Sequence, residues 1–284
     1  MRHVYDHGLP FSEKLAENLV DLRRRVIENN KATLIIVDGG VGEGKTTLCV
    51  HIADYLQGSP IDFKKQLAMG GEQLMRRIET CYAEQLPVII YDEAGDFNRR
   101  GALTKFNQLL NRVFETYRAF KIIVIVALPN FNVLDNQLFD NKIPRLLLHL
   151  RGRNNSQGNF SAYSLWRMMY VKHKMNDRKF VVKEAAFDRT DPNFRGHFLD
   201  LPPERSKKLS EVSTAGKIDF LIKGTAKLEG LLTYEEISRK VGRSTNWARQ
   251  SINRLKIKPV RIVKKVRYYQ DDVVELLKNE RVHK

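Results

Sequence analysis

Thr33-Leu34-Ile35-Ile36-Val37-Asp38-Gly39-Gly40-Val41-Gly42-Glu43-Gly44-Lys45-Thr46-Thr47 decides how this 284-residue chain is read. Thr33 to Val37 is short, apolar and rich in β-branched residues, the pattern of a strand buried in a parallel sheet. A glycine-rich turn follows, and then a helical stretch from Lys45 to about Leu56, stopped by Gly58-Ser59-Pro60. Glycines let the backbone wrap closely around an anion with its N–H groups pointing inward. The helix N-terminus adds partial positive charge at the same place. Strand, turn and helix together match G-x-x-x-x-G-K-[ST], a cradle for nucleotide phosphates. Gly39, Gly40, Gly42 and Gly44 would shape the cradle, and Thr47 would line its helical side. Lys45 is expected to reach the β- and γ-phosphates of ATP, and the Thr46 hydroxyl to ligate Mg²⁺. The bland alternative, a glycine turn before an ordinary helix, does not account for the whole strand–turn–helix context.

Working outward, Phe11 to Asn29 predicts an amphipathic helix, with Leu15, Leu19, Leu22 and Val26 spaced by three and four. Gly71 to about Glu84 and Ala102 to Ala119 predict further helices. Val88 to Tyr91, Ile122 to Ala127 and Leu146 to Leu150 predict further strands. Strands alternating with helices argue for an α/β fold, a mostly parallel sheet flanked by helices. Beyond Arg151 the residues Gly152, Asn154, Asn155, Gly158 and Asn159 mark a loop, and Phe160 to Val171 alternates as antiparallel strands do. Arg151-Gly152-Arg153-Asn154-Asn155 in that loop would line a pore or touch nucleic acid, the alternative being a plain mobile loop. Leu201 to Ala215, with two prolines, three serines and several charges, predicts a linker. The expected division is an N-terminal helical segment at 1–30, a nucleotide-binding domain at 31–200, a linker at 201–216 and a small domain at 217–284. Asp92-Glu93 ends the second strand, at the sheet edge where ligands bind in such folds. Asp92 is expected to hold the Mg²⁺ shell, and Glu93 to polarise a water for attack on the γ-phosphate.

Over about residues 30 to 150 these motifs resemble P-loop NTPases that carry a catalytic glutamate and an extra strand between their two nucleotide motifs. Within that group the chain looks like the FtsK/HerA-like DNA translocase ATPases. The resemblance implies that the strand at 122–127 is the intervening one and that a polar sensor follows it. Those translocases often have Gln there; here Asn130 is the nearest amide. Tyr117-Arg118 before that strand, and Ile143-Pro144-Arg145-Leu146-Leu147-Leu148 after it, are similar to their arginine-bearing segments. Arg118 or Arg145 would then act as a finger on a neighbouring subunit's ATP, which implies a homo-oligomer, a ring or a filament.

Charge is unevenly spread. The whole chain has 49 Lys and Arg against 33 Asp and Glu, for a net +16; the segment 205–284 has 20 against 9. Basic segments suit polyanions, because each phosphate contact releases condensed counterions. Leu231 to Glu280 looks like a winged helix-turn-helix. Thr233 and Glu236 have capping-box spacing, Ile237 and Val241 supply a buried stripe, and Gly242 makes the turn. Ser244 caps a second helix on which Ala248, Ile252 and Leu255 face inward. Asn246, Arg249, Gln250 and Asn253 then face outward, with side chains suited to base edges. The segments 260–263 and 266–269 flank Lys264 and Lys265 as a basic wing; with Arg267, these would touch phosphates. The Arg267-Tyr268-Tyr269 texture is similar to MerR- and excisionase-like winged helices. The alternative is a small protein-interaction domain with a solvated basic face.

No run of about 18 apolar residues and no secretory leader pattern occurs, so no membrane insertion is expected and the default location is cytoplasmic. Cys49 and Cys81 lack metal-ligand spacing, as do the seven histidines. The expected function is that of a DNA-binding ATPase, its hydrolysis coupled to DNA translocation, remodelling, or replication or packaging of a mobile element. An ATP-regulated DNA-binding switch is the alternative. A small-molecule kinase is a third reading; it leaves the basic tail without a purpose.

Overall fold

The computed structural model describes residues 8–29, 33–92, 107–114, 121–154, 157–177, 185–226, 231–258, 261–263, 266–270 and 272–279. The chain divides into two units, Met1–Gly216 and Lys217–Lys284. In the first unit, helix α1 (Glu13–Asn29) leads to β1 (Thr33–Asp38), and α2 (Lys45–Gln57) follows the glycine turn. Next come α3 (Phe63–Gln66), β2 (Leu67–Ala68), α4 (Gly71–Ala83) and β3 (Val88–Asp92). A helix at 107–114, α5, precedes β4 (Ile123–Leu128), a 3₁₀ turn (Phe131–Val133) and α6 (Asn136–Asp140). The unit continues through β5 (Pro144–Asn154), β6 (Gln157–Ser164), α7 (Leu165–Asn176), α8 (Ala185–Asp188) and β7 (Phe194–Leu199). Helix α9 (Pro203–Ala226) runs past the division.

The seven strands lie in the order β2-β3-β4-β1-β5-β6-β7. β2, β3, β4, β1 and β5 are parallel neighbours, and β6 and β7 extend the sheet antiparallel. The sheet is mostly parallel and flanked by helices, as the alternation predicts, and β4 lies between the strand of the glycine loop and the strand of Asp92. Strand pleating sorts the core into two layers. Ile35 and Val37 pack with Leu15, Leu19 and Leu48 on one face. Leu34 and Ile36 pack with Leu74, Leu110 and Met168 on the other.

In the first unit three expectations are corrected. The glycines and asparagines after Arg151 do not mark an open loop: β5 continues to Asn154 and pairs with β6. Gly152, at φ +82°, sits where the register shifts, so the signal was that of a β-bulge. Residues 165–171 are helical rather than extended. Leu165, Met168, Val171 and Met175 form a buried stripe at helical spacing, and Trp166 and Tyr170 face out. The expected linker is helical from Pro203, the first helical position, where the missing N–H costs nothing. Leu201 and Leu209 are buried in the first core. Arg205 clasps Asp54 of α2 with Nη2 at 2.5 Å from Oδ1 and Nε at 3.2 Å from Oδ2. The part of the Ala102–Ala119 expectation outside 107–114 lies outside the described residues.

The second unit contains β8 (Leu231–Leu232), α10 (Tyr234–Val241), α11 (Thr245–Arg254), β9 (Arg261–Val263), β10 (Val266–Gln270) and α12 (Asp272–Asn279). Its strands form a small antiparallel sheet in the order β8-β10-β9. Ile237, Val241, Ala248, Ile252 and Tyr269 build the core. The capping box forms: Glu236 N–H donates to Thr233 Oγ1 at 3.3 Å, and Thr233 N–H to Glu236 Oε2 at 2.7 Å. Ser244 Oγ accepts from Trp247 N–H at 3.2 Å and starts α11. Leu255, expected inward, is instead 41% exposed. It is the cap residue after α11, and the chain leaves the helix there. Among the described residues, no helix is long and apolar enough to cross a membrane.

Candidate functional site

Parallel strands deliver their C-terminal ends to one edge of the sheet, and that edge collects the expected nucleotide residues. Val37 and Asp92 are both in register with Ala127 of the intervening β4. Thr46, in the first turn of α2, donates its hydroxyl to Asp92 Oδ2 at 2.9 Å. Two residues 46 positions apart therefore place their oxygens together, beside the glycine loop. Lys45 Nζ donates to the carbonyls of Gly39 at 2.9 Å and Gly40 at 2.6 Å, across the mouth of that loop. Gly44 at φ 88° turns the chain into α2, and no side chain caps the helix, so its first amides remain available. Gly39, at φ +146°, has no room for a Cβ, which would meet the Leu150 Cβ at 2.9 Å and the Glu43 carboxylate. Gly42, also at positive φ, completes the turn. Thr47 is half-buried on α2, and Val41 at the loop tip is 99% exposed.

The loop already holds a carboxylate. Glu43 Oε2 accepts from Gly40 N–H at 2.6 Å, so a loop amide already meets an anionic oxygen. An anion bound by the loop must displace or reposition that side chain.

Asp38 and His149 belong to this edge and were missed in the sequence. Asp38 is 1% exposed at the end of β1. It accepts from Phe131 N–H at 3.1 Å and lies 2.9 Å from His149 Nδ1 on the neighbouring β5. The His149 ring stacks on Phe187, centroids 3.7 Å apart. One buried carboxylate thus ties the exits of β1, β4 and β5, setting the floor beneath the loop. Its signal was available: an acid closing an apolar run, the feature that singled out Asp92. Cys49, one turn into α2, is fully buried, and burial pushes its thiol well above the usual value, so it is no nucleophile here.

Thr46 and Asp92 suit Mg²⁺, which takes few protein oxygens and completes its shell with water and phosphate. Among the described residues no cluster of three or more His, Cys, Asp or Glu could hold a metal alone. Asn130 lies two residues beyond β4, and its Oδ1 accepts from Asn132 N–H at 2.8 Å, capping the 3₁₀ turn. Arg145 is not brought to the loop of its own chain: Leu34 pairs with Pro144 and Asp38 with His149, so Arg145 lies towards the opposite edge. Glu93, Arg118, Lys264 and Lys265 lie outside the described residues, and Arg267 is described only as part of β10. In the second unit Asn246, Arg249, Gln250 and Asn253 are all exposed on α11.

No protein-family model matches the chain, and no curated protein matches it. Among solved structures it is similar to PCH-2 of C. elegans, at 16% identity over 52% of this chain and 44% of that one, with a TM-score of 0.31. It is also similar to the KaiC-like protein PH0186 of Pyrococcus horikoshii OT3, at 10% identity over 47% and 79%, TM-score 0.31. A third is the VirB11 ATPase of the Brucella suis type IV secretion system, at 14% identity over 54% and 53%, TM-score 0.29. The chain thus spans about half the length, or less, of PCH-2 and VirB11.

Proposed function

We propose that the chain is a Mg²⁺-dependent ATPase that works on DNA as a homo-oligomer. The observation that carries this reading is the 2.9 Å contact of Thr46 Oγ1 with Asp92 Oδ2, beside a glycine loop spanned by Lys45. Loop and helix amides and the Lys45 ammonium would hold the phosphates, and Thr46 and Asp92 would hold Mg²⁺. When bound, the ion neutralises charge on the phosphates. Glu93, next after Asp92, is the proposed base for the attacking water, and Asn130 the proposed sensor, its Nδ2 group donating to phosphate while Oδ1 keeps its bond to Asn132 N–H. Arg118 and Arg145 are the candidate fingers towards a neighbour; Arg145 lies away from the glycine loop of its own chain, so it could act only on a neighbouring subunit's nucleotide.

DNA is assigned to the second unit, read as a winged helix-turn-helix. What supports this is two short helices about a tight turn, a hairpin after them, and a polar face of Asn246, Arg249, Gln250 and Asn253 on the second helix. Hydrolysis would drive translocation or remodelling of the bound DNA. The test is the ATPase rate with and without duplex DNA, with mass in solution followed as ATP is added. DNA should raise turnover, ATP should promote assembly, and Glu93→Gln should bind ATP yet turn it over slowly. Turnover indifferent to DNA, with constant mass, would leave an ATPase without the proposed coupling.

A further inference from the structure

The first unit carries a second surface with the chemistry of a polyanion site, away from the glycine loop. Between α1 and the starts of β5 and α7 lies a cleft of about 310 Å³, with Arg25 and Arg145 in its lining beside Trp166. Burial lowers the Arg145 pKa, and the nearby Arg25 charge lowers it further. Among the described lining residues Asp21 is the one carboxylate, and it is engaged by Arg24 at 3.1 Å. The half-buried Arg145 guanidinium and the exposed Arg25 thus share a cleft whose one described acid, Asp21, is engaged by Arg24, which favours an incoming anion.

The cleft opens onto aromatic rings. Trp166 is 69% exposed and Tyr170 is 54% exposed. They stand four residues apart on α7, hence on one face and about 6 Å apart along the axis. A lysine accompanies each ring: Lys142 Nζ lies 5.9 Å from the Trp166 centroid, and Lys174 Nζ 4.3 Å from that of Tyr170. Four cations, Arg25 and Arg145 in the cleft and Lys142 and Lys174 at the rings, lie about these aromatics, and lysine is depleted at protein interfaces. Exposed rings interleaved with cations are what unpaired bases and their phosphates require.

We propose that this cleft and the α7 face bind one single strand of nucleic acid, with a phosphate at Arg25 and Arg145 and bases stacked on Trp166 and Tyr170. A paired duplex would not offer its base faces to these rings. This inference rests on the reading of the chain as a DNA-dependent ATPase, and it adds a strand contact on the ATPase unit itself. It assigns Arg145, also a candidate finger, a contact with the strand.

The chain has two tryptophans, Trp166 and Trp247, so the full chain carrying Trp247→Phe reports on Trp166 alone. Its emission is followed while unlabelled oligothymidylate is added, and anisotropy of a labelled oligothymidylate reports binding to the chain as a whole. Saturable quenching is expected, weakened by salt and absent with a duplex of equal length. Arg25→Gln, a change at an exposed side chain, should flatten the slope of log affinity against log salt by about 0.7. Rising anisotropy with unchanged Trp166 emission would overturn the inference and leave DNA binding by the second unit standing. Failure of both signals, with single strand and duplex alike, would overturn the DNA reading as well. Quenching by oligoglutamate, or by raised protein concentration alone, would assign the surface to a protein partner and overturn the inference.

Discussion

His51 lies on α2, the helix that begins at the glycine loop, and is 1% exposed. Its Nε2 is 2.9 Å from the carbonyl of Leu199, at the end of β7. The neutral ring donates there. Burial lowers its pKa from 6.5 to about 4; the Arg205 charge acts in the same direction, and the bond to Leu199 opposes both. Between those values the unfolded chain holds a proton that the folded chain does not, so stability falls as pH falls through the window. With an unfolded value near 6.5, the loss is about 2 kcal/mol at pH 5 and about 3 kcal/mol below pH 4. For a unit of this size, about 2 kcal/mol corresponds to about 4–8 °C in Tm. Thermal unfolding by circular dichroism, from pH 7.5 to 5, should be compared between the natural chain and His51→Gln. The Gln amide can donate to Leu199 and does not titrate. Across that range the natural chain should lose about 4–8 °C more than the variant. Equal losses would refute the assignment of a buried neutral His51.

Three further outcomes are expected. Arg205→Ala leaves the buried Asp54 carboxylate without its clasp and should cost about 3 kcal/mol in urea unfolding; adding Asp54→Asn should recover part of that, and no recovery would count against the ion pair. Gly39→Ala forces a Cβ towards Leu150 and Glu43 at a strained φ; it should weaken ATP binding about tenfold, at about 1–3 kcal/mol of strain, and unchanged ATP affinity by titration would show the loop has slack. Asp92→Asn removes the charge of the proposed Mg²⁺ ligand, so turnover should require more Mg²⁺, and an unshifted Mg²⁺ titration would remove Asp92 from the proposed metal shell.

The elements that flank the glycine loop were legible because their burial is extreme. β1 and β3 are continuous apolar runs, and the glycine pattern between β1 and α2 has few alternatives. Legibility failed where one local pattern serves two structures. Residues 160–171 satisfy a period of two at first and a helical stripe afterwards, and only the packing of Met168 and Val171 against the sheet selects the helix. Gly152 marked an interruption but not its kind. The prolines and charges of α9 resemble a linker until Arg205 finds Asp54, a partner 151 positions away that no local window contains. Asp38 could have been found from its place at the end of β1. The Glu43 carboxylate on the Gly40 amide could not, because it depends on the loop's own curvature.

Equilibrium binding of ATP with Mg²⁺ to the natural chain and to Lys45→Ala tests the central claim most directly. The natural chain should bind at one saturable site. Lys45→Ala should bind about ten- to a hundredfold more weakly, as expected for losing charged hydrogen bonds of about 1.5–3 kcal/mol. Equal affinity in the two proteins, or no saturable binding by the natural chain, would contradict the assignment of Gly39 to Thr47 as the nucleotide site.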